Sequence, residues 1–85
     1  MEYRKLGMSD LDVSVITMGC WAIAGGRVWG EQDETAAIGA LRTAVDVGVN
    51  FFDTAEAYGD GRSEQLLGKA FKGMRDDVMI ATKVS

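Results

Sequence analysis

The alternation of short apolar runs with amphipathic segments constrains the fold of this chain more than any other feature of its sequence. Apolar runs occupy residues 49–53 and 78–83, and each follows a segment whose apolar side chains recur at helical spacing. A third run, residues 15–18, precedes the first of these segments and ends at Gly19. The predicted order is therefore strand, helix, strand, helix, strand, and right-handed crossovers make the three strands parallel.

Capping signals define the two predicted helices. The first covers residues 33–47, where Asp33 can accept a hydrogen bond from the first turn and Gly48 ends the helix. The second begins at Ser63, which we expect to be its N-terminal cap, and Gly73 can adopt the left-handed conformation after its end. One face of the second helix is apolar and consists of Leu66, Leu67, Ala70 and Phe71.

The segments before the first helix predict a hairpin and a glycine-rich loop. Residues 3–6 and 11–13 read as two short strands around a polar turn. The loop between Gly19 and Gly30 contains Trp21 and Trp29.

Composition excludes several classes of protein. The 85 residues are 47% hydrophobic and 26% charged, which is typical of a folded domain, although a chain this short is only marginally stable alone. A single Cys excludes an internal disulfide, and the lack of His removes a usual zinc ligand. The net charge is −4, and the nine Lys and Arg residues are scattered, so we expect no nucleic-acid partner.

Hydropathy gives no indication of a membrane protein. No apolar stretch approaches the roughly 20 residues that a spanning helix needs, and the first residues lack the apolar core of a signal peptide. We therefore expect a cytoplasmic protein with no membrane partner. The oligomeric state stays open.

The predicted order of elements is compatible with two architectures. One is an open doubly wound sheet, and the other is part of a (β/α)₈ barrel, which in complete form typically has about 250 residues. The chain has no G-x-G-x-x-G motif between a strand and a helix, so a Rossmann fold is poorly supported. Both architectures place functional groups at the carboxyl ends of the strands. These groups are Gly19, Cys20 and Trp21 after the first strand, Asp53 and Tyr58 after the second, and Lys83 after the third.

The carboxylate, phenol and ammonium at this edge suit acid–base chemistry. A phenol is a poor proton donor at neutral pH, but a nearby ammonium stabilises the phenolate and makes the phenol a usable general acid. Asp53 would keep the Lys83 ammonium charged and oriented beside Tyr58. Each residue also has a structural interpretation, as a turn cap, a solvated charge or a packed ring, and spacing alone does not decide between the two.

Several segments resemble the N-terminal part of the aldo-keto reductase family: YRKLG, GCW, NFFDTAEAYGDGRSEQLLGKAF and MIATKV. The resemblance covers nearly the whole chain, and FDTAEAYG with the following GxSE and LLGKA is its most specific part. It implies a (β/α)₈ barrel with an N-terminal hairpin that closes the bottom, and about three of the eight strands would lie in these residues. Residues 1–85 are then expected to be one incomplete domain, the N-terminal segment of a longer reductase.

The resemblance also implies an activity and a set of site residues. The family reduces small-molecule carbonyls with NADPH, and Asp53, Tyr58 and Lys83 match three positions of its Asp, Tyr, Lys, His tetrad. Tyr58 would be the proton donor. Gly19, Cys20, Trp21 and Asp53 would lie beside the nicotinamide, and Trp21 with Trp29 could line the carbonyl pocket.

The tetrad His and the site for the adenosine phosphate would lie outside these residues, so the 85 residues alone are expected to be inactive. Two alternatives stay open. One is an interaction protein similar to the accessory subunits of potassium channels, which share this fold. The other is a partial barrel that associates with itself through its open edge. The identity of the carbonyl substrate, and NADPH rather than NADH, are not determined by these residues.

Overall fold

A β-hairpin, a three-stranded parallel sheet and two α-helices make up the part of the chain that the computed structural model describes, residues 1–25 and 33–84. The hairpin pairs β1 with β2 in antiparallel fashion, and the sheet has the order β3-β4-β5. Helix α1 precedes β4 and α2 precedes β5. The bounds are β1 Tyr3–Lys5, β2 Asp12–Ser14, β3 Met18–Gly19, α1 Glu34–Asp46, β4 Phe51–Asp53, α2 Arg62–Ala70 and β5 Met79–Ala81.

The register of the parallel sheet confirms the predicted order and brings the strand ends together. Gly19 pairs with Asp53, and Asp53 pairs with Ala81 on its other side. The carboxyl ends of all three strands therefore meet at one edge. Within the described residues β3 and β5 each pair on one side only, and self-association through such an edge stays a prediction.

The start of α1 follows the sequence prediction, whereas the start of α2 does not. The Asp33 carboxylate accepts a hydrogen bond from the Thr35 backbone at 3.1 Å, as predicted for a cap. Ser63 is not the cap of α2, because the helix begins at Arg62 and Gly61 precedes it with a φ of 91°. Ser63 lies in the first turn with no exposed surface, and its hydroxyl bonds to other parts of the chain.

The core lies between the sheet and the two helices. The rings of Phe52, from β4, and Phe71, just after α2, lie 4.7 Å apart at their centroids. Leu41 from α1 belongs to the same core cluster, and all three side chains are fully buried. The predicted apolar face of α2 is confirmed, since Leu66, Leu67, Ala70 and Phe71 are all buried.

Asn50 joins the hairpin to the amino-terminal ends of the strands. Its side-chain oxygen accepts a hydrogen bond from the Ser14 backbone at 2.7 Å, and its amide nitrogen donates to the Asp12 carbonyl at 2.9 Å. The Tyr3 hydroxyl donates to the Gly48 carbonyl at 2.6 Å nearby. The hairpin is thereby held against the end of the sheet opposite the carboxyl edge.

The segment between the hairpin and β3 differs from the prediction of a strand over residues 15–18. The Ser14 hydroxyl bonds to the Ile16 carbonyl at 2.7 Å, which turns the chain, and Ile16 is more than half exposed. Only Met18 and Gly19 pair with β4. Neither helix in the described part of the chain is long and apolar enough to cross a membrane.

Candidate active site

An ion pair between Asp53 and Lys83 forms the centre of the site. Asp53 is the last residue of β4, Lys83 follows β5, and the Lys83 Nζ lies 2.7 Å from the Asp53 Oδ1. The same ammonium donates to the Thr54 carbonyl at 3.0 Å. The two charged side chains are 55% and 43% exposed, so the pair lies at an edge that a ligand can reach.

Tyr58 lies between this ion pair and Trp21. The Lys83 Nζ is 5.2 Å from the centroid of the Tyr58 ring, within the range of a cation–π interaction. The rings of Tyr58 and Trp21 stack with centroids 5.8 Å apart and an angle of 22° between their planes. The structure therefore brings together four of the residues that the sequence placed at the carboxyl edge.

The surroundings of Lys83 favour its charged form. The hydrogen bond with Asp53 raises the pKa of Lys83 above its ordinary value, and the Tyr58 phenol contributes in the same direction, while desolvation opposes both. Lys83 is therefore an ammonium throughout the neutral range, next to a phenol. This arrangement can stabilise a phenolate, which is what a Tyr needs in order to act as a general acid.

A close backbone contact fixes the loop that carries Tyr58. We call residues 54–61 the β4 loop and residues 20–25, with the 3-10 turn Ala22–Ala24, the β3 loop. Gly59 has a φ of 61°, and a Cβ atom built on it would lie 2.7 Å from the Ala24 Cβ. Only a glycine fits this contact, so the residue that follows Tyr58 packs directly on the β3 loop.

The other predicted cofactor-binding residues lie in different environments. Cys20 is fully buried in the core, and burial, followed by the Asp53 carboxylate, raises the pKa of its thiol to about 11. The thiol has no exposed surface, and contact between Cys20 and a cofactor stays a prediction. Gly19 is exposed at the edge, where an added Cβ would meet nothing within 4 Å. Trp29 lies outside the described residues.

Two buried hydroxyl residues at the site were missed by sequence reasoning. Thr54 and Ser63 lie 2.6 Å apart at their hydroxyl oxygens, and the Ser63 hydroxyl donates to the Cys20 carbonyl at 2.8 Å. The local sequence predicts a helix cap at Ser63, not a hydroxyl that bonds across the site. The signal that could have corrected this is Gly61, because glycine is itself a favoured residue directly before a helix and indicates that α2 begins at Arg62.

The described residues contain no group of three or more Cys, Asp and Glu side chains that could hold a metal ion. The polar groups that meet at the edge include the Asp53 carboxylate, the Lys83 ammonium and the Tyr58 phenol, beside the exposed ring of Trp21. Such a set suits proton transfer to an organic substrate.

Comparison with known proteins identifies a family for the chain. A sequence model of the Aldo/keto reductase family matches residues 15–85. The aldo-keto reductase YhdN of Bacillus subtilis is 46% identical over 87 residues, which cover 100% of this chain and 26% of that protein. A probable voltage-gated potassium channel subunit beta of Arabidopsis thaliana is 39% identical, over 99% of this chain and 25% of that protein. The NADH-specific methylglyoxal reductase of Escherichia coli is also 39% identical, over 98% and 26%.

Solved structures show the same likeness. The holo form of an aldo-keto reductase from Bacillus halodurans superposes with a TM-score of 0.86 at 42% identity, over 99% of this chain and 26% of that chain. An aldo-keto reductase from Klebsiella pneumoniae in complex with NADPH gives 0.75 at 34% identity, over 86% and 24%. The chain thus spans about a quarter of the length of these relatives, and its fold is the N-terminal portion of their (β/α)₈ barrel. The chain belongs to the aldo/keto reductase family.

Proposed function

We propose that the full-length protein carrying this chain reduces aldehyde or ketone carbonyls to alcohols with NADPH, and that Tyr58 is the proton donor. One observation carries the assignment of roles. Lys83 is paired with Asp53 at 2.7 Å while its ammonium lies 5.2 Å from the centre of the Tyr58 ring. Family membership supports the class of reaction, an oxidoreductase reaction.

Each of the three side chains has a different role in proton transfer. The Tyr58 hydroxyl donates its proton to the carbonyl oxygen as that oxygen gains negative charge. The Lys83 ammonium stabilises the phenolate that remains. Asp53 keeps Lys83 charged and directed at Tyr58, because its carboxylate holds the ammonium through a short hydrogen bond. The hydride that the carbonyl carbon receives would come from the nicotinamide cofactor when it is bound.

The edge of the sheet fits the nicotinamide half of such a cofactor. Gly19 leaves open space at the end of β3, and the half-exposed Asp53 carboxylate beside it can accept a hydrogen bond from a ribose hydroxyl. Trp21 offers an exposed aromatic surface beside Tyr58 for an apolar substrate. The choice of NADPH rests on relatives such as the Klebsiella enzyme, whereas the Escherichia coli relative is named as NADH-specific.

The direct test is oxidation of NADPH by the full-length protein with a panel of aliphatic and aromatic aldehydes. We expect Tyr58→Phe to lower kcat by about 100-fold or more, since general acid catalysis contributes on this scale. Cofactor affinity should stay nearly unchanged, because the phenol acts on the substrate oxygen. Tyr3→Phe is the matched control, since it removes the hydroxyl of the hairpin at the opposite end of the sheet.

Two results would count against the proposal. Equal turnover by wild type and Tyr58→Phe would exclude Tyr58 as the acid, and no turnover of any carbonyl by the wild type would exclude the activity. Repeating the assay with NADH determines the cofactor, because a preference for NADH would overturn that part of the proposal alone.

A second candidate follows from the plant relatives that are named as potassium channel subunits. In that case the protein acts mainly by binding a channel partner, and it turns carbonyls over slowly. A stable complex with a membrane protein, purified together with slow NADPH oxidation, would favour this function. Fast turnover without a copurifying partner favours the reductase.

A further inference from the structure

Ser63 lies where the two loops of the candidate site meet. Its side chain has no exposed surface. The hydroxyl donates to the Cys20 carbonyl of the β3 loop at 2.8 Å and lies 2.6 Å from the Thr54 hydroxyl of the β4 loop. Its backbone N–H donates to the Tyr58 carbonyl at 3.2 Å. One residue therefore contacts both loops and the backbone of the proposed acid.

Counting protons gives the direction of the buried hydroxyl bonds. A serine hydroxyl has one proton, and the Cys20 carbonyl can only accept. The Ser63 hydroxyl therefore donates its proton to the Cys20 carbonyl, and the Thr54 hydroxyl donates to the Ser63 oxygen. The described buried side chains leave no polar atom without a partner, so this chain from Thr54 through Ser63 to Cys20 is fully satisfied.

Each end of this chain of hydrogen bonds is next to a residue of the site. Cys20 directly precedes Trp21, whose ring stacks on Tyr58. Thr54 directly follows Asp53, and the Thr54 carbonyl accepts a hydrogen bond from the Lys83 ammonium. Ser63 thus links the backbone positions that directly adjoin Trp21 and Asp53.

We propose that Ser63 is a positioning residue of the site, which holds the β3 loop to the β4 loop and thereby sets the placement of Tyr58 against Trp21 and Lys83. This inference rests on the proposed reductase function. Ser63 does not touch the reacting atoms. It acts because proton transfer depends steeply on placement, and a shift of about 1 Å can lower a rate by about 100-fold.

The test compares Ser63→Ala and Ser63→Cys with Ser9→Ala in the full-length protein. Ser63→Ala removes the donor to Cys20, and Ser63→Cys keeps a side chain of similar shape with a weak donor. Ser9→Ala is the control, because it also removes a bond from a serine hydroxyl to a backbone carbonyl, 2.6 Å to the Leu6 carbonyl compared with 2.8 Å for Ser63, at the hairpin turn far from the site. Steady-state kinetics with NADPH and an aldehyde are measured together with amide hydrogen exchange at residues 20–24 and 58–63.

We expect Ser63→Ala to lower kcat by about 10-fold to 100-fold, with the KM for NADPH unchanged. Exchange should become faster in the two loops but not in α1 or the hairpin. Ser63→Cys should recover part of kcat, and Ser9→Ala should match the wild type. A merely structural role predicts instead faster exchange throughout the described core.

Several outcomes would overturn the inference: wild-type kcat in Ser63→Ala, faster exchange throughout the core, or failure of both Ser63 variants to fold. An inactive wild type has a different meaning, because it refutes the proposed function. In that case, amide exchange in the two loops of Ser63→Ala still tests whether Ser63 holds them together. Exchange equal to that of the wild type would refute this inference as well.

Discussion

Replacing Gly59 with Ala tests whether the contact between the two loops is as tight as the structure shows. The φ of Gly59 is 61°, in the left-handed region. An added Cβ would lie 2.7 Å from the Ala24 Cβ, 2.9 Å from the Arg62 Cβ and 3.1 Å from the Ala24 carbonyl oxygen. Real Cβ atoms essentially never come within 3.0 Å of another heavy atom, as two of these three distances would require, and two of the three atoms belong to Ala24 in the 3-10 turn of the β3 loop. One loop must therefore move.

The cost can be worked out from two separate effects. The left-handed conformation costs a non-glycine residue about 1–2 kcal/mol, and forcing an extra carbon into a packed contact costs about 1–3 kcal/mol. Gly7 has a φ of 56° with nothing within 4 Å of an added Cβ, so Gly7→Ala carries the first cost without the second. Both substitutions restrict the unfolded chain equally, so that effect cancels in the comparison. Gly59→Ala should lower the free energy of unfolding by about 1–3 kcal/mol more than Gly7→Ala.

The assay is urea unfolding of the two variants under identical conditions, combined with NADPH oxidation. Because Gly59 follows Tyr58, we also expect Gly59→Ala to lower kcat, whereas Gly7→Ala should leave it unchanged. Equal loss of stability in both variants would refute the reasoning, since it would mean that the contact with Ala24 is absent or yields without cost.

Two further predictions concern the hairpin and the buried thiol. Asn50→Ala removes the hydrogen bonds to Ser14 and Asp12 and should lower the free energy of unfolding by about 1–3 kcal/mol, measured by urea unfolding; an unchanged midpoint would show that water replaces these bonds. Iodoacetamide should label Cys20 only after unfolding, as read from the mass of its peptide, because the thiol is buried and its pKa is raised from 9.0 to about 11. Labelling of the folded protein at neutral pH would contradict the burial of the thiol. The folded state holds the thiol proton more tightly, so its contribution to the free energy of unfolding is present below pH 9 and decreases as the pH rises from 9 towards 11, as measured by urea unfolding across this range.

The helices and the core were predictable because their signals are local and repeated. The cap at Asp33 and the glycine after α1 are each decided by a few neighbouring residues. The apolar face of α2 is decided by spacing along one helix, and the structure buries every residue of it. In a long segment the helical spacing of apolar residues is supported by many side chains, so one exceptional residue does not change the predicted helix.

The errors fall on residues whose role depends on distant parts of the chain. Ser63 has the residue type of a helix cap, but its hydroxyl bonds to Cys20 and Thr54, which a local pattern does not reveal. Residues 15–18 have the composition of a strand, yet only Met18 and Gly19 find a partner in β4. At Ser63 a tertiary contact prevails over the local preference, whereas at residues 15–18 the Ser14 hydroxyl bond to the Ile16 carbonyl turns the chain before it reaches β4.

The candidate site contains residues that the order of the strands positions and residues that contacts between loops position. Only the first group was predictable from the sequence. Parallel register alone brings Asp53 and the chain leading to Lys83 to the same edge, so their meeting follows from the order of the elements. Tyr58 lies in a loop, and nothing in the order of the elements determines where its ring points. Its placement depends on the tight contact at Gly59 and the buried hydroxyl of Ser63. The ion pair between Asp53 and Lys83 is therefore positioned by the sheet, whereas Tyr58 is positioned by packing between the two loops. Substitutions at Gly59 and Ser63 should consequently alter catalysis, although neither removes a group that takes part in the reaction.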